Sequence, residues 1–217
     1  MKLAYINPNA TQAMTDSVVR VVSDAVPDIH VVGYTNANGP AAIQGAEDGD
    51  AAVPGVLALL DRAVIDGADA IVIACFDDTG LAPARALCPK PVIGIGQAAY
   101  VMAGLLGARF SVVTSLPVSI PVIEGNIAEM GYANACAKVR ASNLPVLTID
   151  EGSEDTRQKL INSIRKAAQE DRVDSVVLGC AGMAYMREDL AQRSGVMLVD
   201  GVVAAAHLAR AAVAMGQ

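Results

Sequence analysis

Asp69-Ala-Ile-Val-Ile-Ala-Cys75 and Asp174-Ser-Val-Val-Leu-Gly-Cys180 are the two stretches on which the fold turns. They agree position by position: an acid, a small residue, three apolar residues, a small residue and a cysteine, spaced 105 residues apart. The same spacing lays Val92-Ile93-Gly94-Ile95-Gly96 on Met197-Leu198-Val199-Asp200-Gly201. A short apolar run closed by small residues is what a strand buried on both faces of a parallel sheet presents. Its return at one interval in two blocks, with a shared terminal cysteine, implies a duplicated unit.

Outward from these stretches, apolar runs alternate with helical patterns. Leu3–Ile6 precedes a helix over 13–26, Ile29–Tyr34 precedes one over 52–66, and Val92–Ile95 precedes one over 97–106. The second half begins again with a strand over 109–115 into a helix near 118–130. A strand near 145–149, a helix over 154–170, Val176–Gly179, Met197–Val199 and a final helix follow. Such alternation is the pattern of βαβ units. The prediction is an α/β fold of two pseudo-symmetric lobes, each a mostly parallel sheet flanked by helices, with the active site in the inter-lobe cleft. Residues 1–96 plus 202–217 form the first lobe and 97–201 the second.

Composition narrows the function. The 217 residues carry 16 Lys and Arg against 23 Asp and Glu, a net charge of −7, and 53% are apolar. That is enough apolar material for a core and the wrong charge for a phosphate backbone, so disorder and nucleic-acid binding are excluded. Met1–Ile6 is too short for a secretory apolar region, and Gly, Pro or charge interrupts every apolar stretch before the roughly 18 residues that a membrane span needs. The expectation is a cytoplasmic protein with four reduced cysteines. Cys88 and Cys136 read as inert packing residues. The Ala- and Val-rich stretch from Val202 to Met215 reads as a packed helix with apolar width to spare, which points to a homo-oligomer.

Ligands of open α/β sheets bind beyond the carboxyl ends of the strands, and Cys75 and Cys180 both occupy that edge. If the lobes face each other, the two thiols stand on opposite walls of one pocket. A thiolate on one face of a carbon and a thiol on the other can remove a proton from one side and return it from the other, inverting a stereocentre. The pair must start in opposite protonation states. The carbanion needs hydrogen-bond donors at a neighbouring carbonyl oxygen. Asn9, Thr114 and Ser115 at the ends of the first strands, Phe76 and Asp77 after Cys75, and Ala181 and Gly182 after Cys180 are the candidate substrate-binding residues. No metal or redox cofactor is required by this chemistry.

Asn7-Pro8-Asn9-Ala10-Thr11, Ala74-Cys75-Phe76-Asp77-Asp78-Thr79-Gly80-Leu81, Ser111-Val112-Val113-Thr114 and Leu178-Gly179-Cys180-Ala181-Gly182-Met183 together resemble the aspartate/glutamate/hydantoin racemase superfamily, nearest to its hydantoin racemases. The resemblance covers nearly the whole chain. It implies a cofactor-independent racemase of 5-monosubstituted hydantoins, cyclic ureides, with Cys75 and Cys180 as the two bases. Thr79 stands where relatives often carry Pro, and Gln97 where an acidic residue is common. Allantoin racemases share the design, since allantoin is itself a 5-ureidohydantoin, so the choice between these substrates stays open.

Other readings are weaker. Gly94-Ile95-Gly96-Gln97-Ala98-Ala99 fits a dinucleotide fingerprint, but no acidic residue follows at about 20 positions to hold a ribose. His30 and His207 lack a second ligand at metal spacing, and neither partners a serine nucleophile. Asp77 and Asp78 read chiefly as local structural residues, and Glu151–Asp155 as a helix start. Amino-acid racemization would call for polar groups around the cysteines to grip a carboxylate and an ammonium, where Phe76, Ala181 and Gly182 suit a flatter, less charged ring. Decarboxylation uses one thiol of the pair, and maleate isomerization is more distant. A two-lobed binding protein without catalysis has no use for paired thiols.

Overall fold

Every residue of β3 (Ala70–Ile73) and β7 (Ser175–Gly179) is buried, so each strand needs neighbours on both edges and cover on both faces. The computed structural model, which describes residues 1–216, supplies both. With β1 (Lys2–Asn7), β2 (His30–Thr35) and β4 (Val92–Gly94), β3 forms a sheet of order β2-β1-β3-β4. With β5 (Phe110–Thr114), β6 (Cys136–Ala141) and β8 (Leu198–Asp200), β7 forms the same order again, β6-β5-β7-β8. All pairings are parallel. The architecture is the predicted two-lobe α/β fold. Residue 217, the end of the first-lobe range given above, lies outside the described residues.

Helices cover both faces of each sheet. In the first lobe α1 (Gln12–Ala25) and α9 (Gly201–Met215) pack on one face, and α2 (Ala46–Ile65) and α3 (Leu81–Leu87) on the other. In the second, α6 (Val146–Glu151), α7 (Glu154–Asp171) and α8 (Arg187–Ser194) share one core, and α5 (Ile120–Glu129) belongs to the other. Helix α4 (Ile95–Leu106) serves both lobes: Ile95 and Ala98 pack with β1, β3 and α9, while Ala99, Tyr100 and Ala103 pack with β5 and β7. A helix buried on two sides joins the lobes through side chains such as Ile95, whose burial is worth about 1.5–3 kcal/mol. Among the described residues, no helix is long and apolar enough to cross a membrane.

The strand register corrects two details of the sequence reading. The spacing of 105 holds for β3 and β7, but β4 and β8 correspond one residue later. Ile73 pairs with Gly94 and Leu178 with Asp200, so Gly94 is the counterpart of Asp200 rather than of Val199. The run over 145–149 is helix α6 and not a strand. Pro145, with φ of −57°, opens the helix, and Val146 and Ile149 are buried three residues apart on one helical face. The strand of that region is Cys136–Ala141, a sheet edge on which exposed Lys138 and ion-paired Arg140 dilute the apolar signal.

Candidate active site

Because all eight strands run in parallel pairs, the carboxyl ends of β1, β3, β5 and β7 bring their following loops to one cleft. Cys75 and Cys180 both line it, with Asn9, Phe76, Asp77, Thr114, Ser115 and Ala181. Thus eight of the nine sequence-predicted residues share one cavity. Gly182 is not among the residues that line it: it lies within the 3-10 segment Ala181–Met186, where a Cβ would stand 3.5 Å from the Asp150 backbone, and its amide donates to the Cys180 sulfur. The cleft also includes Met14, Ile43, Ser119, Val146 and Gly179. Ile43 and Val146 come from segments without a motif. They meet because the β2–α2 loop crosses onto the second lobe, where Gln44 Oε1 accepts the Val146 N–H at 3.1 Å.

Several of these side chains position the backbone. The Thr114 hydroxyl donates to the Gly179 carbonyl at 2.9 Å, tying β5 to the strand that carries Cys180. Asn9 Oδ1 accepts from Asn7 Nδ2 at 3.0 Å and from the Thr11 N–H at 2.9 Å, while its amide nitrogen meets only the Met14 sulfur. That amide is therefore free to donate to a substrate oxygen. Phe76 lines the cleft but its ring packs edge-on against Tyr100, with centroids 5.7 Å apart.

The helix that follows the last strand of each sheet is capped by an aspartate, and in the first lobe that aspartate comes from the loop after the cysteine. In the second lobe Asp200 accepts from the Val202 and Val203 amides at 3.0 and 3.1 Å and caps α9 from its own N-terminus. In the first lobe the equivalent position is Gly94, and the cap comes from Asp78 in the loop after Cys75. Its carboxylate accepts from the Gly96 and Gln97 amides at 2.9 and 2.8 Å. A Cβ on Gly94 would overlap Asp78 Oδ1, so the glycines that mimic a dinucleotide fingerprint make room for a carboxylate from the chain itself. Asp78 thereby fastens the Cys75 loop to α4, with its own φ at 50°.

The electrostatics of the thiols follow from burial. Cys180 is 7% exposed, and burial pushes its thiol up to about 12 despite the opposing Gly182 amide. The Cys75 thiol is pushed higher still, by burial first and then by the Asp77 carboxylate, against the Thr79 hydroxyl and the Asp77 amide. Asp77 is itself raised to about 7 by burial, as is Asp78. Burial thus favours the neutral form of both sulfurs, and charge on Cys180 further raises Cys75. His30 and His207 are both exposed, away from this cleft.

A family profile described as Asp/Glu/hydantoin racemase matches residues 3–209. The chain belongs to this family. Its enzyme class is that of an isomerase, a racemase. A hydantoin racemase of Rhizobium meliloti is 41% identical over 219 residues, spanning 100% of this chain and 90% of that protein. Among solved structures, an allantoin racemase from Klebsiella pneumoniae matches with a TM-score of 0.95 at 34% identity, over 100% of this chain and 89% of that one. The allantoin racemase of Pseudomonas fluorescens matches with a TM-score of 0.93 at 31% identity, over 100% of this chain and 92% of that one.

Proposed function

We propose that this racemase inverts C5 of 5-monosubstituted hydantoins, with Cys75 and Cys180 as the two bases. The observation that carries the reading is that both thiols line one cleft from equivalent strand ends of two lobes. One sulfur, as thiolate, takes the C5 proton. The other, as thiol, returns its own proton to the opposite face, and the pair emerges with its protonation reversed. The enolate oxygen formed beside C5 is held by donors at the strand ends, with the Asn9 amide nitrogen the one least engaged within the protein. The first sulfur accepts the one proton and the second donates the other, so the two thiols together complete the exchange. The same reading keeps the lobe division at residues 96/97 and 201/202, with α4 packed between the sheets.

A second reading, allantoin as the substrate, is favoured by the high structural similarity to two allantoin racemases. Both readings predict the same chemistry at C5. The test is loss of optical rotation of L-benzylhydantoin and of (S)-allantoin in deuterated water, with deuterium entering C5. Cys75→Ala and Cys180→Ala should each lower racemization by about 10²- to 10⁴-fold, the usual worth of a positioned acid or base. An unchanged rate in either variant overturns the two-base assignment.

A further inference from the structure

Of the two sulfurs, Cys75 is the harder to ionise. It is buried, the Asp77 carboxylate on its own loop opposes a negative charge there, and Cys180 opposes it from the other lobe. These are the titratable groups that bear on it. A thiolate in that place depends on hydrogen-bond donors, because a donor aimed at the charged form favours it. Cys180 receives the Gly182 amide. Cys75 receives the Asp77 amide and, in addition, a side-chain donor, the Thr79 hydroxyl.

The fold holds Thr79 in place for this contact. The residue is 6% exposed, and among the described residues its Oγ1 has no nitrogen or oxygen partner, which leaves the sulfur as its acceptor. On its other side α2 passes at Gly49, which presents no side chain, and even an added Cβ would stand 3.8 Å from the hydroxyl. Residue 79 comes back towards residue 75 through two linked turns, in which the Cys75 carbonyl accepts the Asp78 N–H at 3.0 Å and the Asp78 carbonyl accepts the Leu81 N–H at 2.9 Å. Asp78 sits between them in the left-handed region, and its carboxylate is bound to the Gly96 and Gln97 amides of α4. The Asp77 carbonyl is held from the second lobe, where Asn126 Nδ2 on α5 donates to it at 2.8 Å. The loop is thus fastened to both lobes on the side that leads into Thr79, so its hydroxyl is ordered before any charge forms on the sulfur.

We propose that Thr79 is a positioning residue of the reaction, whose hydroxyl donates to the Cys75 sulfur and holds it as the thiolate that takes the C5 proton. The proposal rests on the reading of Cys75 and Cys180 as the two bases.

Two profiles against pH test it: racemization of L-benzylhydantoin and (S)-allantoin, and alkylation of Cys75 by iodoacetamide, located by peptide mass spectrometry and independent of any substrate. Thr79→Val keeps the shape and removes the hydroxyl. It should move both rises to higher pH by about one unit, a tenfold loss of thiolate at fixed pH, as expected when a hydrogen bond to a charged group is lost. Thr79→Ala should do the same, and Thr79→Ser, which keeps the hydroxyl, should return both profiles to those of the wild type. Asn126→Ala loosens the loop but leaves the donor, so it should lower the racemization rate at every pH without moving either rise. Profiles that Thr79→Val and Thr79→Ala leave in place overturn the assignment, as does an equal displacement by Asn126→Ala. A moved alkylation profile beside an unmoved racemization profile keeps the hydrogen bond and overturns its part in the reaction. Unchanged racemization in Cys75→Ala overturns the two-base reading itself, a result distinct from each of these.

Discussion

The two cysteines hold equivalent places on equivalent sheets, yet their surroundings differ. Cys180 runs straight into the 3-10 segment at Ala181 and receives the Gly182 amide, while α9 is capped locally by Asp200. Cys75 opens a five-residue loop, Phe76 to Gly80, that carries two carboxylates before α3 begins. Asp78 reaches back from that loop to do for α4 what Asp200 does for α9, and Asp77 faces the cleft. The backbone symmetry is thus retained while the charge distribution is not. A racemase must treat two mirror-image faces with comparable ease, but its two bases need not be chemically alike. Here the first-lobe loop combines a charge, a structural cap and a hydroxyl donor in three consecutive residues, Asp77 to Thr79.

That asymmetry predicts different fates for the two capping aspartates. Asp78→Ala removes the link between the Cys75 loop and α4, and displacement of a reacting group by about 1 Å costs roughly 10²-fold. Racemization should fall by about that factor. Asp200→Ala removes a cap of the same kind but leaves the Cys180 turn intact, so it should lower thermal stability and change kcat little. Measuring kcat and melting temperature for both variants checks the comparison; equal loss of kcat in the two would mean that the caps are interchangeable and the loop is not positioned by Asp78.

Gly201 sharpens the next contrast. A Cβ there would overlap the Ile95 carbonyl, which is backbone and cannot swing aside, whereas a Cβ on Gly94 would meet the Asp78 side chain. Gly201→Ala should destabilise the fold by about 1–3 kcal/mol, as overpacking usually does, by forcing α9 away from α4. Gly94→Ala should act on activity as well, because the group that it displaces is Asp78. Chemical denaturation and rate measurements on the same pair of variants separate the two.

Much of the fold was legible because burial on both faces leaves a plain mark: β3 and the Val176–Leu178 stretch of β7 are apolar runs, and a cysteine follows each strand within two residues. The cleft residues that were legible, Asn9, Cys75, Thr114 and Cys180, sit at strand ends, where position in the sequence implies position in space. What was hidden came from groups whose partners are remote in sequence. Asp78 caps a helix that starts at Ile95, and Ile43 and Val146 reach the cleft only because the loop before α2 is held on the second lobe. The one-residue slip between β4 and β8 was likewise invisible, since Gly96 and Gly201 align by eye although the sheet register does not pair them. The short run 146–149, with three β-branched residues in four, has the composition of a strand, and Pro145 ahead of it makes it a helix start.

The thiol electrostatics give a smaller and graded expectation. With burial raising both sulfurs and Asp77 raising each further, catalysis should be limited by how much thiolate is present. The thiolate fraction grows tenfold per pH unit below the lower apparent value of the pair, so log kcat/KM should climb with a slope of about +1 between roughly pH 7 and 9. Asp77→Asn takes away a negative charge that opposes thiolate formation. It should move the whole rise to lower pH. A flat profile, or a rise moved to higher pH in the variant, would contradict the assigned sign.

The smallest effect tests the equivalence of Gly94 and Asp200 directly. If register rather than sequence spacing defines the counterpart, an aspartate placed at 94 should cap α4 as Asp200 caps α9, but only once the native carboxylate is gone, because the two would overlap. Asp78→Ala alone should cost about 1 kcal/mol of stability through the lost cap, and adding Gly94→Asp should restore most of it. The restored helix start does not refasten the Cys75 loop, since the new carboxylate belongs to β4 and not to that loop. Stability should therefore recover while racemization stays low. Recovery of both would show that Asp78 acts only as a cap, and recovery of neither would show that the register equivalence carries no energetic weight.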